Sequence, residues 1–93
     1  MTTCQKHADF IRESMKGKEI SDIAGVGVYA GVLFKLKGIN NACQLFGQFL
    51  IMGMDENVFC SWLETEISQG NTMNPKQRHE VYLCLKGWAD RFL

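Results

Sequence analysis

The segment that most constrains this chain is Ile23-Ala24-Gly25-Val26-Gly27, a hydrophobic-x-Gly-hydrophobic-Gly run between a short helical start and a longer helical stretch. Two glycines let the backbone turn tightly and come close to a partner. The helix that follows opens with N–H groups that have no acceptor inside the helix, and such groups suit a phosphate oxygen. This is the sequence form of a helix-hairpin-helix over about residues 20–37. It predicts nucleic-acid binding through the backbone, which carries no base preference. The same five residues also fit a tight turn between two helices in which glycine serves geometry alone.

The rest of the chain reads as helix, with no strand alternation sustained over a useful length. Thr2 or Thr3 caps a first helix reaching about Ser14, with Phe10 and Ile11 inward. Ser21 or Asp22 starts a very short helix ending at Gly25, and Val28 to Lys37 forms the second arm, with Leu33 and Leu36 on one face and Gly38 as its stop. Asn40 or Asn41 caps a helix to about Met52, whose Ala42, Leu45, Phe46, Phe49 and Leu50 make a wide apolar face. Asp55 caps the next, to about Gln69, with Val58, Phe59, Trp62, Leu63 and Ile67 inward and Gly70 as its stop. Asn74-Pro75-Lys76-Gln77 places Asn at the N-cap, Pro at N1 and Gln at N3 of a last helix. That helix carries Val81, Leu85, Trp88 and Phe92 on one stripe. The expected fold is all-α: a compact bundle of five to six short helices in one domain over residues 1–93.

At 93 residues such a domain buries a modest core, so pairing with another subunit is a common supplement. Formal net charge is zero, which removes any global basic signal. The charge is uneven, however. Residues 1–38 hold six basic and four acidic side chains, residues 39–75 hold four acids and no Lys or Arg, and residues 76–93 hold four basic and two acidic. A molecule of that kind can meet phosphate at its ends while its middle stays clear. Lys76 sits in the first turn of a helix, where the macrodipole disfavours a cation, and an external anion would relieve it.

Metal and catalytic chemistry find no support. Cys4, Cys43, Cys60 and Cys84 form no CxxC pair and no zinc spacing. No secretory leader is visible and no apolar run approaches a membrane span, so reduced thiols are expected. His7 and His79 have no local context that activates a thiol, and His7 reads as a surface or helix-packing residue. Asp55-Glu56 reads as a cap and a first-turn acid. Phe46, Phe49 and Trp62 read as core. Gly47, inside a helix, costs about 1 kcal/mol against alanine. It implies close approach of a backbone, across a dimer interface or at an intramolecular crossing.

Taken together, the residues resemble the barrier-to-autointegration factor family over nearly the whole length. The resemblance rests on Met1-Thr2-Thr3, Gln5-Lys6-His7, Asp9-Phe10, Glu13, Met15, Ala24-Gly25-Val26-Gly27, Gly47-Gln48-Phe49-Leu50, Asp55-Glu56, Phe59, Trp62-Leu63, Cys84-Leu85, Trp88, Asp90 and Phe92-Leu93. Up to Leu63 it needs no gap; about four extra residues fall between Ser68 and Met73. The resemblance implies an all-helical homodimer in which each subunit binds one double-stranded DNA without sequence preference, so that the dimer bridges two duplexes. It implies residence in nucleus and cytoplasm, a role in chromatin and nuclear-envelope organisation, LEM-domain protein partners, no cofactor, no metal and no catalysis. Carried over by position, Gln5, Lys6, Gly25, Val26, Gly27, Pro75, Lys76 and Gln77 form the DNA face. Phe46, Gly47 and Leu50 lie in the dimer segment, and Thr2 and Thr3 are phosphorylation positions whose added charge would repel a phosphate.

The chain departs from the family pattern in ways that carry physical weight. Ala8 stands where the family usually has a basic residue, Val32-Leu33 replace a lysine pair, and Gly53-Met54 replace another. Each lost phosphate contact weakens DNA binding and flattens its salt dependence. Loss of the last pair also bears on the LEM-domain contact. The alternative is therefore a protein-interaction module with weak DNA binding, acting as a homodimer or as a heterodimer with a standard family member. Read from sequence, Gly25→Glu and Lys6→Glu should each abolish retardation of a short random duplex while far-UV circular dichroism stays native. Unchanged retardation in either variant would sink the DNA reading.

Overall fold

The computed structural model describes residues 3–67 and 72–93, with side chains from Gln5 onward. Five α-helices and one short 3₁₀ helix account for most of it. They are α1 (Thr3–Arg12), the 3₁₀ helix Ile20–Asp22, α2 (Val28–Leu36), α3 (Ala42–Ile51), α4 (Glu56–Glu66) and α5 (Pro75–Phe92). The all-α expectation holds. Among the described residues the only extended pairing is an isolated antiparallel bridge between Glu19 and Asn41.

Most of the helix boundaries follow from capping. Asn41 accepts from the Gln44 amide at 2.9 Å and Asp55 from the Val58 amide at 2.9 Å, each satisfying a donor the helix cannot. Asn74 and Gln77 cap reciprocally: the Asn74 side chain accepts from Gln77 N at 2.8 Å, and the Gln77 side chain from Asn74 N at 2.9 Å. At the other ends, α2 and α3 stop in the same way. Gly38 N donates to Lys35 O and Ile39 N to Phe34 O; Gly53 N donates to Leu50 O and Met54 N to Phe49 O. This pair of bonds is the Schellman motif.

Several expectations shift. α1 ends at Arg12, short of Ser14, and the 3₁₀ helix begins at Ile20, one residue before the expected cap, with Asp22 accepting from Glu19 N at 2.8 Å. Thr2 lies outside the described residues, as does Gly70. α4 ends at Glu66, short of Gln69. Val58, expected inward, is exposed, and so are Leu36, Leu50 and Phe92 from the apolar faces of their helices. A single helix seen in sequence shows which residues are apolar. It does not show how wide a stripe its neighbours cover.

The core is aromatic. Phe49 packs edge-on against Phe59 at 5.0 Å between ring centroids, Phe46 against Trp88 at 5.1 Å, and Phe59 stacks on Trp62 at 5.9 Å. These contacts tie α3, α4 and α5 together. The Trp88 indole N–H donates to Glu13 O at 2.9 Å, pinning the chain just past α1 onto α5. A Cβ on Gly87 would lie 3.1 Å from Ile11 Cγ2 and 3.6 Å from the His7 ring, so α1 crosses α5 at that glycine. His7 is thus a helix-packing residue, as expected. Around Gly47, by contrast, nothing lies within 4 Å of an added Cβ. Among the described residues no intramolecular crossing meets Gly47; Gly87 supplies the close crossing instead.

Cys43, Cys60 and Cys84 are free thiols. Burial pushes the Cys84 thiol up to about 11 from the ordinary 9.0, against smaller opposing effects of a backbone hydrogen bond at Ala24 and the charges of Lys6 and Lys18. The fold therefore favours the neutral thiol. Its stabilising effect is whole below the ordinary thiol pKa and is lost as pH rises through about 11. The full effect is worth about 3 kcal/mol. Urea unfolding from pH 8 upward should show a flatter decline for Cys84→Ala than for the unaltered protein; parallel curves would contradict it.

Candidate nucleic-acid interface

Local chemistry makes the hairpin first. Ile23, Ala24 and Val26 are buried, which anchors both sides of the turn and leaves the glycines to make the path. Gly25 has φ +92°, a conformation that costs an L-residue about 1–2 kcal/mol. A second constraint acts on the same atom: a Cβ there would lie 2.5 Å from the Gln77 carbonyl oxygen and 2.9 Å from Val81 Cγ2. The turn thus rests directly on the backbone of the first turns of α5. Gly27 differs. It is exposed, its φ is −95°, and nothing lies within 4 Å of an added Cβ.

Gly27 is also the N-cap of α2 and has no side chain to cap with. The first intrahelical bond is Gly31 N to Gly27 O at 3.0 Å. The Val28 and Tyr29 amides consequently have no acceptor among the described residues, and both residues are exposed. α3, α4 and α5 each spend a side chain on that task, and α2 does not. An exposed, uncapped helix start is a donor site for an anion.

Two chain segments remote in sequence meet this turn. Lys6, from α1, donates from Nζ to the Val26 carbonyl at 3.2 Å and so holds its charge at the hairpin. From the other side comes the start of α5, where Gln77 underlies Gly25 and Lys76 is exposed beside it. Neither lysine is paired with a carboxylate among the described residues, whereas Lys18, Lys37 and Lys86 are paired with Glu13, Glu66 and Asp90. The remaining expected residues are placed less directly. Gln5 is exposed, with its amide donating to Asp9 at 2.8 Å. Pro75 opens α5 and Gln77 has its side chain engaged in the cap, so in this segment it is Lys76 that offers unspent charge. The depression beside Lys6 also carries Asp9, Glu13 and Asp22, which temper the field.

Val28 and Tyr29 are the residues that sequence reasoning missed. Each is 80% exposed, directly behind Gly27. The signal was available as two large apolar residues in the first turn of the hairpin's second arm. Thr2 is outside the described residues, and only the backbone of Thr3 is described. Phe46 directs its ring into the core, against Trp88, while Gly47 is open and Leu50 is 42% exposed on the same helix.

Fold and site together define a small all-helical protein built around a helix-hairpin-helix whose turn, first helix and last helix converge on one surface. The chain belongs to the barrier-to-autointegration factor family: residues 1–92 match the family model described as barrier to autointegration factor. It is 38% identical over 93 residues to the human barrier-to-autointegration factor, covering all of both chains. It is 40% identical over 92 residues to Barrier-to-autointegration factor B of Xenopus laevis, with 99% of this chain and 98% of that protein covered. With Barrier-to-autointegration factor 1 of Caenorhabditis elegans the identity is 38% over 93 residues, again covering both chains fully. Membership supports a nuclear, chromatin DNA-binding protein. Among the described residues no helix is long and apolar enough to cross a membrane.

The two glycines now separate into different tests. Gly25→Glu, taken from sequence as a binding-only variant, would drive a side chain into the α5 backbone and is instead a folding variant. Gly25→Ala should destabilise by roughly 2–4 kcal/mol, from positive φ plus overpacking. Gly27→Ala should cost less, about 0.5–1 kcal/mol, from the poorer N-cap alone. Equal unfolding midpoints in urea for the two alanine variants would contradict this seat for the turn.

Proposed function

We propose that this chain binds double-stranded DNA without sequence preference and, as a dimer, bridges two duplexes. One observation supports the reading above the others. Lys6, the uncapped start of α2 at Gly27, and the α5 start bearing Lys76 gather around a single turn. Backbone amides and two ammonium groups are the chemistry of phosphate contact, and phosphate contacts fix position without reading bases. On this reading Gln5, Val26, Pro75 and Gln77 complete the face, and the protein works in the nucleus and cytoplasm as a single non-enzymatic domain. Phosphorylation at Thr2 or Thr3 would weaken the contact by repulsion.

Dimerisation is assigned to α3, where Gly47 is open, Leu50 is 42% exposed and Ile51 is 80% exposed. A glycine with free space outside it lets a second backbone approach. LEM-domain proteins are the proposed envelope partners. A second reading has its own support: Val32 and Leu33 stand where phosphate-binding lysines would add charge, and Asp9, Glu13 and Asp22 lie beside Lys6. In that reading DNA binding is weak, and the chain acts by homodimerising or by pairing with a standard family member.

Titration of a random duplex at two salt concentrations separates the two. In the first reading, Lys6→Glu combined with Lys76→Glu lowers affinity at least tenfold, and Lys→Ala at either position flattens the salt slope by about one. Weak, salt-insensitive binding unaffected by either lysine leaves the second reading standing. Gly47→Leu with Ile51→Glu should convert a dimer to a monomer in analytical ultracentrifugation at micromolar concentration. A monomeric unaltered protein would remove the dimer from both readings.

A further inference from the structure

α2 carries a second surface that the DNA reading does not use. Val28 and Tyr29 are each 80% exposed, Val32 is 51% exposed and Leu36 is 78% exposed. Val28, Val32 and Leu36 fall at i, i+4 and i+8, so they form one stripe about 12 Å long. Four large apolar side chains on a nine-residue helix are a patch of the kind that marks an interaction site. Of the other apolar side chains of the same helix, Ala30 and Phe34 are buried in the core and Leu33 packs partly against it, so the stripe is not the core face misplaced.

Beside the stripe lies a groove between α2 and the 3₁₀ helix. Gly27 and Gly31, one turn apart, line it together with Ile20, Val28, Val32 and Lys35. Gly27 is exposed with nothing within 4 Å of an added Cβ, so a side chain of another element can enter over it, while Gly31 is buried beneath the groove with Ile20 Cγ2 3.7 Å from an added Cβ. Lys35 is exposed at the rim and has no carboxylate partner among the described residues. Lys37, two residues on, is neutralised by Glu66 at 2.6 Å. Glu19 lines the opposite wall.

We propose that this face of α2 is a docking surface for an amphipathic helix of another protein, one that lays an apolar ridge along Val28, Val32 and Leu36 and sets an acidic side chain on Lys35. The helix-in-groove mode fits a concave seat with a small-residue floor and an apolar ridge. A membrane presents no ridge to fill the groove. A second copy pairing helix to helix through α2 fits less well, because α2 itself holds no acidic residue to meet Lys35; the acid lining this groove is Glu19, on the opposite wall. The proposal does not rest on the DNA reading, because it uses side chains, but the two surfaces adjoin: Gly27 and Val28 line the groove and also form the start of α2.

The test is an NMR titration of the isotope-labelled full chain with two synthetic helix-forming peptides. Both carry leucines at i, i+4 and i+7; one has glutamates and the other lysines flanking them. The expected result is shifts of the Gly31, Val32 and Lys35 amides, with the glutamate peptide binding roughly tenfold tighter. Val32→Asp and, separately, Leu36→Glu weaken it by a similar factor, and Lys35→Glu reverses the preference between peptides. Both apolar positions are exposed, so these variants keep a native circular dichroism spectrum. Absence of shifts on α2, or equal binding of the two peptides, overturns the proposal. Shifts of α2 with protein concentration alone, abolished by Val32→Asp, give the face to a second copy. Response only to anionic vesicles gives it to lipid. Either result also overturns the proposal.

Discussion

The arrangement of this protein depends on one backbone-to-backbone contact. The turn at Gly25 sits so close to the first turns of α5 that even a methyl group would lie 2.5 Å from the Gln77 carbonyl. Close packing of this sort leaves no room for adjustment. It sets the height of the hairpin above α5, and thereby the distance from the uncapped start of α2 to Lys76. Lys6 closes the third side with its hydrogen bond to Val26 O at 3.2 Å. The glycine serves packing and conformation first, and whatever binds at the turn inherits a position already decided by the core.

The two glycines of one short motif divide the work. Gly25 is needed inside, where the chain must turn with positive φ against another backbone. Gly27 faces outward and leaves a helix start without a cap. Electrostatics follow the same division between used and unused groups. Arg12, Lys18, Lys37 and Lys86 are tied to neighbouring carboxylates, and such exposed pairs contribute little to stability. Lys6, Lys35 and Lys76 have no acid partner among the described residues, and the first and last of these flank the turn.

α2 shows how one helix can be shared between surfaces. Its amino-terminal end presents amides, its inner face presents Ala30 and Phe34 to the core, and its outer face presents Val28, Val32 and Leu36 to solvent. The positions that lack lysine relative to the family pattern are therefore not simply blank. Val32 joins a continuous apolar stripe, while Leu33 packs partly against the core.

Much of the architecture was legible in the chain itself, because capping and helix termination are local. Asn41, Asp55 and Asn74 act within four residues of themselves, and Gly38 and Gly53 close their helices through bonds to the preceding turn. The buried stripe of α3 could be read in part: Ala42, Leu45, Phe46 and Phe49 are inside, and Leu50 is not. What each exposed or inward residue meets depends on elements far away in sequence, and periodicity is silent about that. It could not tell that Gly87 rather than Gly47 receives a crossing helix, or that Gln77 lies under Gly25. By itself the sequence determined the helices, their caps and the turn, since those are contacts between near neighbours. Only the tertiary structure decided which glycine is packed and which is open, and which lysines stay unpaired, because both are settled by the approach of α1 and α5 to the same turn.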